Sequence, residues 1–275
     1  MAQTSTKNES TIHAALTFAV DTGVRIVNET MGPGDMSRRR TGVVEERMMP
    51  IRNGRALRDK FELEIHGFEF VKHPTAMVNF FDENEVLSVY YEEAAELIRQ
   101  RSGAKRIHVF DHTLRSGDEK TRNERHVREP VTRVHNDYTE WSGPNRVRDL
   151  LPNEAEGLLE RRFAIVQVWR AIRNPIEADP LAICDARTLT QGDLVVSERR
   201  YPDRIGQTYQ IAYSPDQEWY YFPKMTRNEA VVFKVFDSAT DGRARFTAHT
   251  AFVDPMSPVN AGPRESIEMR ALVFF

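Results

Sequence analysis

Of the eight histidines in this 275-residue sequence, one is followed two positions later by a carboxylate: His135, in Val134-His135-Asn136-Asp137. Along an extended strand, positions i and i+2 point to one face, so an imidazole and a carboxylate at this spacing can grip the same ion. With 41 acidic residues in the chain, about one such pair arises by chance, and its weight comes from what lies downstream. A single histidine follows, His249, in Arg245-Phe246-Thr247-Ala248-His249-Thr250-Ala251-Phe252, a segment that reads as a core strand. Two imidazoles and one carboxylate on one side of a metal leave three positions open, which is the ligand set of non-haem Fe(II) oxygenases. The open positions can take a bidentate 2-oxo acid and dioxygen. His135, Asp137 and His249 are therefore the expected metal ligands and the expected catalytic residues.

Fifteen residues beyond His249, Arg264-Glu265-Ser266 opens the final apolar strand. A guanidinium and a hydroxyl two apart share a strand face and match a carboxylate by a bidentate pair and one further hydrogen bond. Arg264 and Ser266 are thus the expected seat of the distal carboxylate of 2-oxoglutarate, with Arg270, on the same face, in reserve. Tyr209, Trp169 and the aromatics at 219–222 fall on strands, where one face is core and the other can reach cofactor or substrate. His108 and His112 are four apart, a zinc spacing only on a helix, and Val109-Phe110-Asp111 between them reads as extended. Cys184, beside Leu181-Ala182-Ile183, reads as a buried inert thiol.

The elements that must position these residues are mostly short strands. From about residue 131, stretches at 132–134, 163–170, 181–185, 193–198, 208–212, 219–223, 230–236, 245–251 and 266–274 are divided by Pro, Gly, Asp and Asn. One helix is expected at 153–161. Many short strands with turn signals between them suggest a jelly roll or barrel. Upstream, 11–20 reads as a strand or a short helix, 61–71 as a half-buried strand that bulges at Gly67, and 106–111 as a strand. Apolar residues at helical spacing predict a helix over 84–101, stopped at Ser102-Gly103. Residues 31–40, with Gly32-Pro33-Gly34 and three consecutive arginines, read as a solvated loop. No Gly-rich strand-to-helix turn supports a nucleotide fold.

Composition narrows the function classes. The 38 basic and 41 acidic residues give a net charge of −3, with no global basic excess to displace counterions from nucleic acid. One cysteine excludes an internal disulfide framework and a cysteine-based zinc site, and it fits a reducing compartment. The apolar runs are too short for a membrane helix, and Met1 to Ser10 lacks the apolar stretch of a secretory signal. The expectation is a cytoplasmic protein acting on a small molecule, with no nucleic-acid or membrane partner and with a homodimer compatible.

The chain resembles the AsaB-type hydroxylase/desaturase family of fungal secondary metabolism, related to the cephamycin methoxylase component. The matching pieces run through most of the chain. They are Tyr90-Tyr91-Glu92, Val109-Phe110-Asp111-His112-Thr113-Leu114-Arg115, Val134-His135-Asn136-Asp137, Val168-Trp169-Arg170 and Asp179-Pro180-Leu181-Ala182. Further on come Phe233-Lys234-Val235-Phe236-Asp237-Ser238, His249-Thr250-Ala251-Phe252 and Pro263-Arg264-Glu265-Ser266-Ile267-Glu268. The resemblance implies a double-stranded β-helix, Fe(II), 2-oxoglutarate and dioxygen. Within the family, the branch it points to is that of the novofumigatonin-type meroterpenoid endoperoxidase. The chain departs from the family's usual residues at Gln167, at Gln217-Glu218 and at Met225, positions expected to bear on the substrate pocket rather than the metal.

Together these readings describe a mainly β protein with flanking helices, a double-stranded β-helix of the jelly-roll, cupin-like kind. It forms one domain, 1–275, in which 1–130 supplies supporting strands and helices and 131–275 the core with the metal site. The expected activity is C–H abstraction from a bulky apolar metabolite, a terpenoid or polyketide, giving an alcohol, an alkene or an endoperoxide. The alternatives are a cupin-like isomerase or hydrolase without 2-oxoglutarate, and a small-molecule-binding protein without turnover. Pocket-lining loops are expected at 38–43, 50–53 and 199–204.

Overall fold

A computed structural model of the chain describes residues 11–30, 38–173, 175–202 and 205–275. Fifteen strands follow in chain order: β1 (Thr11–Val20), β2 (Ile26–Thr30), β3 (Arg38–Arg40), β4 (Val43–Asn53), β5 (Phe68–Lys72), β6 (Arg106–Ser116), β7 (His135–Asn136), β8 (Phe163–Ala171), β9 (Leu181–Cys184), β10 (Leu194–Arg200), β11 (Ile205–Ile211), β12 (Trp219–Tyr221), β13 (Glu229–Asp237), β14 (His249–Ala251) and β15 (Glu265–Phe274). They form a ten-stranded sheet, β1-β4-β12-β9-β14-β7-β11-β10-β2-β3, and a five-stranded sheet, β5-β13-β8-β15-β6. This is the jelly-roll architecture, and strands from before residue 131 enter both sheets.

The central strands of the five-stranded sheet are covered on both faces, and the alternation of side chains shows how. Along β15, Ile267, Met269, Ala271 and Val273 pack toward the helix Tyr91–Ser102, joined by Ala164, Val166 and Val168 of β8. The helix answers with Ala94, Leu97 and Ile98. Opposite residues, Phe163, Ile165 and Trp169 of β8 and Leu272 of β15, face the other core, with Phe18, Ile51, Trp219 and Phe233. Burial of each large apolar side chain here is worth about 1.5–3 kcal/mol. The polar residues of β15 (Ser266, Glu268, Arg270) alternate with the helix-facing set and are buried too, so they stand on the inner face with little water to solvate them.

The helix expected at 84–101 is present, as Glu83–Glu85, a π-helical turn Val86–Tyr90, and Tyr91–Ser102. Asp82 caps it by accepting from the Asn84 and Glu85 N–H groups (3.0 and 3.5 Å). Gly103, at φ +69°, ends it in the left-handed conformation that costs glycine nothing. Residues 11–20 are a strand. The strand expected over 61–71 is shorter: only Phe68–Lys72 is extended, and the His66 N–H closes a turn on the Glu62 carbonyl (2.8 Å). Gly67, at φ +83°, makes that reversal, and a Cβ there would sit 2.3 Å from Thr247 Oγ1. The alternation of Phe61, Leu63 and Ile65 therefore marks a turn, with Phe61 and Leu63 buried and Ile65 exposed.

Arg38–Arg40 is a short strand paired with β2, not a loop, while residues 31–37 lie outside the described residues. The helix at 153–161 is one and a half turns, Ala155–Leu159, and two further helices, Glu119–Arg125 and Ser142–Leu150, have no counterpart in the sequence reading. Gly143-Pro144 hid the second; proline there lies in the first turn, where its missing N–H has no intrahelical partner to lose. Among the described residues, no helix is long and apolar enough to cross a membrane.

Candidate active site

The strand register brings the two histidines together. His135 of β7 is paired directly with His249 of β14, so both side chains stand on one face, and Asp137 follows at the next position on that face. The imidazole rings lie 4.3 Å apart between centroids. One nitrogen from each and one carboxylate oxygen all fall within 4.8 Å of one another.

Each of the three side chains is held by its other polar atom. His135 Nδ1 contacts the Arg133 carbonyl (2.9 Å) and His249 Nδ1 the Thr247 carbonyl (3.0 Å). A carbonyl only accepts, so Nδ1 carries the proton in both rings and Nε2 presents its lone pair. The Nε2 of His249 is buried with no partner. Burial and the neighbouring His249 push His135 down to about 3, so it is neutral and ready to ligate. Asp137 Oδ2 accepts from Gln167 Nε2 (2.6 Å) and Arg270 Nε (3.2 Å), which leaves Oδ1 turned to His135 Nε2 at 3.6 Å. Burial works to raise the Asp137 carboxyl; the Arg270 guanidinium outweighs it and holds the group well below the usual carboxylate range. Two imidazole nitrogens, one of them an orphaned buried atom, and one ionised carboxylate fit a divalent first-row metal.

A cleft of about 240 Å³ opens beside these residues, walled by Val131, Trp169, Leu181, Ala251, Arg115 and Arg264. Arg264, 3% exposed, donates through Nη1 to the Asp179 carbonyl (2.8 Å) and lies over the Trp169 ring (5.3 Å). Its Nε is buried without a partner, and so is the Ser266 hydroxyl. Burial, then the neighbouring Arg115 charge, pushes Arg264 down to about 9. A buried guanidinium with a free donor beside a free hydroxyl offers the donors that a carboxylate accepts from.

Three comparisons with known proteins bear on this geometry. A family model described as an oxidoreductase/YMDC permease-like domain matches residues 16–274. The hydroxylase/desaturase CTB9 of Cercospora beticola is 34% identical over 253 residues, which cover 84% of this chain and 77% of that protein. The chain belongs to the fungal hydroxylase/desaturase family. Another member of this hydroxylase/desaturase family, asaB of Aspergillus flavus, is 32% identical over 246 residues (84% and 82% of the two chains). The Fe(II)/2-oxoglutarate-dependent dioxygenase nvfI of Aspergillus novofumigatus is 32% identical over 230 residues (81% of each). The solved structure of the iron and alpha-ketoglutarate-dependent endoperoxidase NvfI shares the fold, with a TM-score of 0.84 at 27% identity over 97% of this chain and 98% of that one.

Within this hydroxylase/desaturase fold, His135, Asp137, His249, Arg264, Ser266 and Trp169 converge, and other expected site residues do not. Arg270 is no reserve anion seat: its guanidinium is taken up by Glu268, Asp137 and Asp111. Tyr209 is paired with Asn136 and therefore stands on the face away from His135; it packs on Phe246 and accepts from the Glu140 N–H (3.3 Å). Trp219 packs edge-on to Phe18, Tyr220 to Phe61 and Tyr221 to Phe252, and Phe222 stacks on Phe70, so residues 219–222 build core. His112 contacts the Tyr91 hydroxyl (3.0 Å) and Glu83 (3.3 Å) on a strand shared with His108, and no zinc pair results. Cys184 is buried, its thiol raised to about 12 by burial.

Residues 50–53 belong to β4, and Arg199 and Arg200 to β10, so these are strands rather than pocket loops; 203–204 lie outside the described residues. The departure at Gln167 falls on the Asp137 carboxylate, not on a substrate wall. Glu268 and Arg115 line the cleft and were missed. The signal for Glu268 was available, since period two along β15 carries Ser266 on to Glu268 and Arg270; Arg115 stands on another strand and had none.

Proposed function

We propose that this chain is a non-haem Fe(II)/2-oxoglutarate-dependent dioxygenase of secondary metabolism, taking hydrogen from a C–H bond of a bulky apolar metabolite. The observation that carries the reading is the convergence of the His135–Asp137–His249 face with the unpartnered Arg264 and Ser266 across one cleft. The activities of its relatives, which are Fe(II)/2-oxoglutarate-dependent dioxygenases, agree with it.

His135 Nε2, His249 Nε2 and Asp137 Oδ1 would hold Fe(II), and Arg264 with Ser266 the distal carboxylate of 2-oxoglutarate. Iron, 2-oxoglutarate and dioxygen together supply an oxidant strong enough for an unactivated C–H bond, with succinate and carbon dioxide as co-products. Arg270 and Gln167 fix the Asp137 carboxylate in one orientation. Trp169, Leu181 and Val131 exclude water from the cleft wall. Glu268, held by Arg270, gives up no proton at neutral pH, because that guanidinium keeps it ionised against its burial.

In this reading the cleft takes the co-substrate and the metabolite lies over its mouth. Support for an apolar one comes from residues 252–263, which leave the cleft at Ala251 and return at Arg264. They expose Val253 (78%), Met256 (60%) and Val259 (109%). A terpenoid or polyketide suits that surface, an endoperoxide is the product we favour, and a cytoplasmic site of action fits the single cysteine.

Labelled dioxygen tests the reading. An endoperoxide carries two labelled oxygens from one molecule, an alcohol one, and an alkene none, each with succinate formed. Conversion of substrate with no succinate would overturn it in favour of an isomerase or hydrolase.

A further inference from the structure

The inner face of the five-stranded sheet carries a polar array that the co-substrate reading only partly uses. Register places Arg115 of β6 directly opposite Ser266, Thr113 opposite Glu268, and Asp111 opposite Arg270, so all six side chains share that face. Charge is distributed unevenly along it. At the metal end Asp137, Glu268 and Asp111 surround one cation, Arg270. At the other end stand two cations, Arg264 and Arg115, held only by backbone: Arg264 by the Asp179 carbonyl and Arg115 by the Glu129 carbonyl (2.9 Å). Among the described residues, neither forms an ion pair with a carboxylate. Arg115 is half-buried and lines the same cleft as both histidines.

We propose that Arg115 is a second guanidinium of the co-substrate site, which with Arg264 and Ser266 makes the cleft select a dicarboxylate 2-oxo acid over a monocarboxylate one. The inference rests on the 2-oxoglutarate reading above and assigns a residue that reading leaves unused. An acid-rich end calls for a dication, and a cationic end that Glu268 and Asp179 offset only at a distance, without an ion pair, calls for an anion, so the field of the cleft orients a dianion along its length. A carboxylate offers about four lone-pair directions, more than Arg264 and Ser266 fill. Arg115, beside Ser266, supplies the remaining donors. A monocarboxylate 2-oxo acid would reach the metal end and leave both guanidiniums unmatched. The mutual repulsion of Arg115 and Arg264 agrees with two charges that face one anion.

The test is calorimetric titration of Co(II)-loaded, non-turning-over protein with 2-oxoglutarate and with pyruvate, for wild type, Arg115→Met, Arg115→Lys and Arg264→Met. Arg115→Met should weaken 2-oxoglutarate about tenfold or more, the loss of one charge-assisted hydrogen bond. It should leave Co(II) and pyruvate affinities unchanged. Arg115→Lys, which keeps charge and fold, should recover part of the loss. Unchanged 2-oxoglutarate affinity in Arg115→Met, or equal weakening of both acids, would overturn the assignment and give Arg115 to the metabolite or to the fold. Unchanged 2-oxoglutarate affinity in Arg264→Met would instead overturn the co-substrate reading itself.

Discussion

Truncating Arg264 should stabilise the ligand-free protein while destroying its co-substrate site. The guanidinium is 3% exposed, and burial with the Arg115 charge lowers it from its ordinary value to about 9. A change of that size corresponds to about 5 kcal/mol spent on keeping it charged without an anion. Arg264→Met removes this cost. It also loses the hydrogen bond to the Asp179 carbonyl, worth about 2 kcal/mol, and the stacking on Trp169, worth about 1 kcal/mol. The balance is a gain of roughly 2 kcal/mol, a rise in Tm of roughly 4–8 °C for a chain of this size. Because the folded-state pKa lies below the unfolded one, the cost is fully present at neutral pH and is relieved as pH rises through about 9. The gap between variant and wild type should therefore narrow from pH 8 to pH 10. Thermal melts of the metal-free proteins measure this, with 2-oxoglutarate added in a second series that should raise only the wild-type Tm. A variant that melts well below wild type at pH 7.5, or that still responds to 2-oxoglutarate, would refute the reasoning.

Gly67→Ala should cost about 1–3 kcal/mol, since φ +83° disfavours a Cβ and the Cβ would strike Thr247 Oγ1; because Thr247 also supplies the carbonyl that orients His249, Co(II) titration should show weaker binding as well. Leu97→Ala should lower stability by about 2–5 kcal/mol in urea melts and leave Co(II) affinity untouched, because Leu97 packs on the helix side of the five-stranded sheet. Met256→Asp should raise the KM for the apolar metabolite and leave 2-oxoglutarate affinity as it is, measured by steady-state kinetics and calorimetry, since Met256 lies on the segment that joins the cleft wall to Arg264.

What could be read from the sequence followed the reach of the signal. The strands of the second half were legible because each is a short apolar run closed by Pro, Gly, Asp or Asn, as at 181–185 and 230–236. Phe61, Leu63 and Ile65 misled because alternation cannot distinguish a strand from a turn that buries two of three apolar side chains; Gly67 was the better guide. For the site, i and i+2 spacing is local, so His135 with Asp137 and Arg264 with Ser266 could be paired by eye. Partners across strands could not: nothing in the spacing says that Gln167 and Arg270 meet on Asp137, or that Arg115 faces Ser266. Arg270 was misread for this reason, since period two gives a side chain's face but not its neighbours. Residues 219–222 were misread because aromatic content does not say which cavity, if any, a ring lines.

The central claim is that one Fe(II) and one 2-oxoglutarate bind together at His135, Asp137, His249 and Arg264. Anaerobic addition of both to metal-free protein tests it most directly, read by the visible charge-transfer band that a chelated 2-oxo acid gives with iron. Wild type should develop the band at one iron per chain, His249→Ala should not, and Arg264→Met should need far more 2-oxoglutarate to reach it. A band of full intensity in His249→Ala, or none in wild type, would contradict the account.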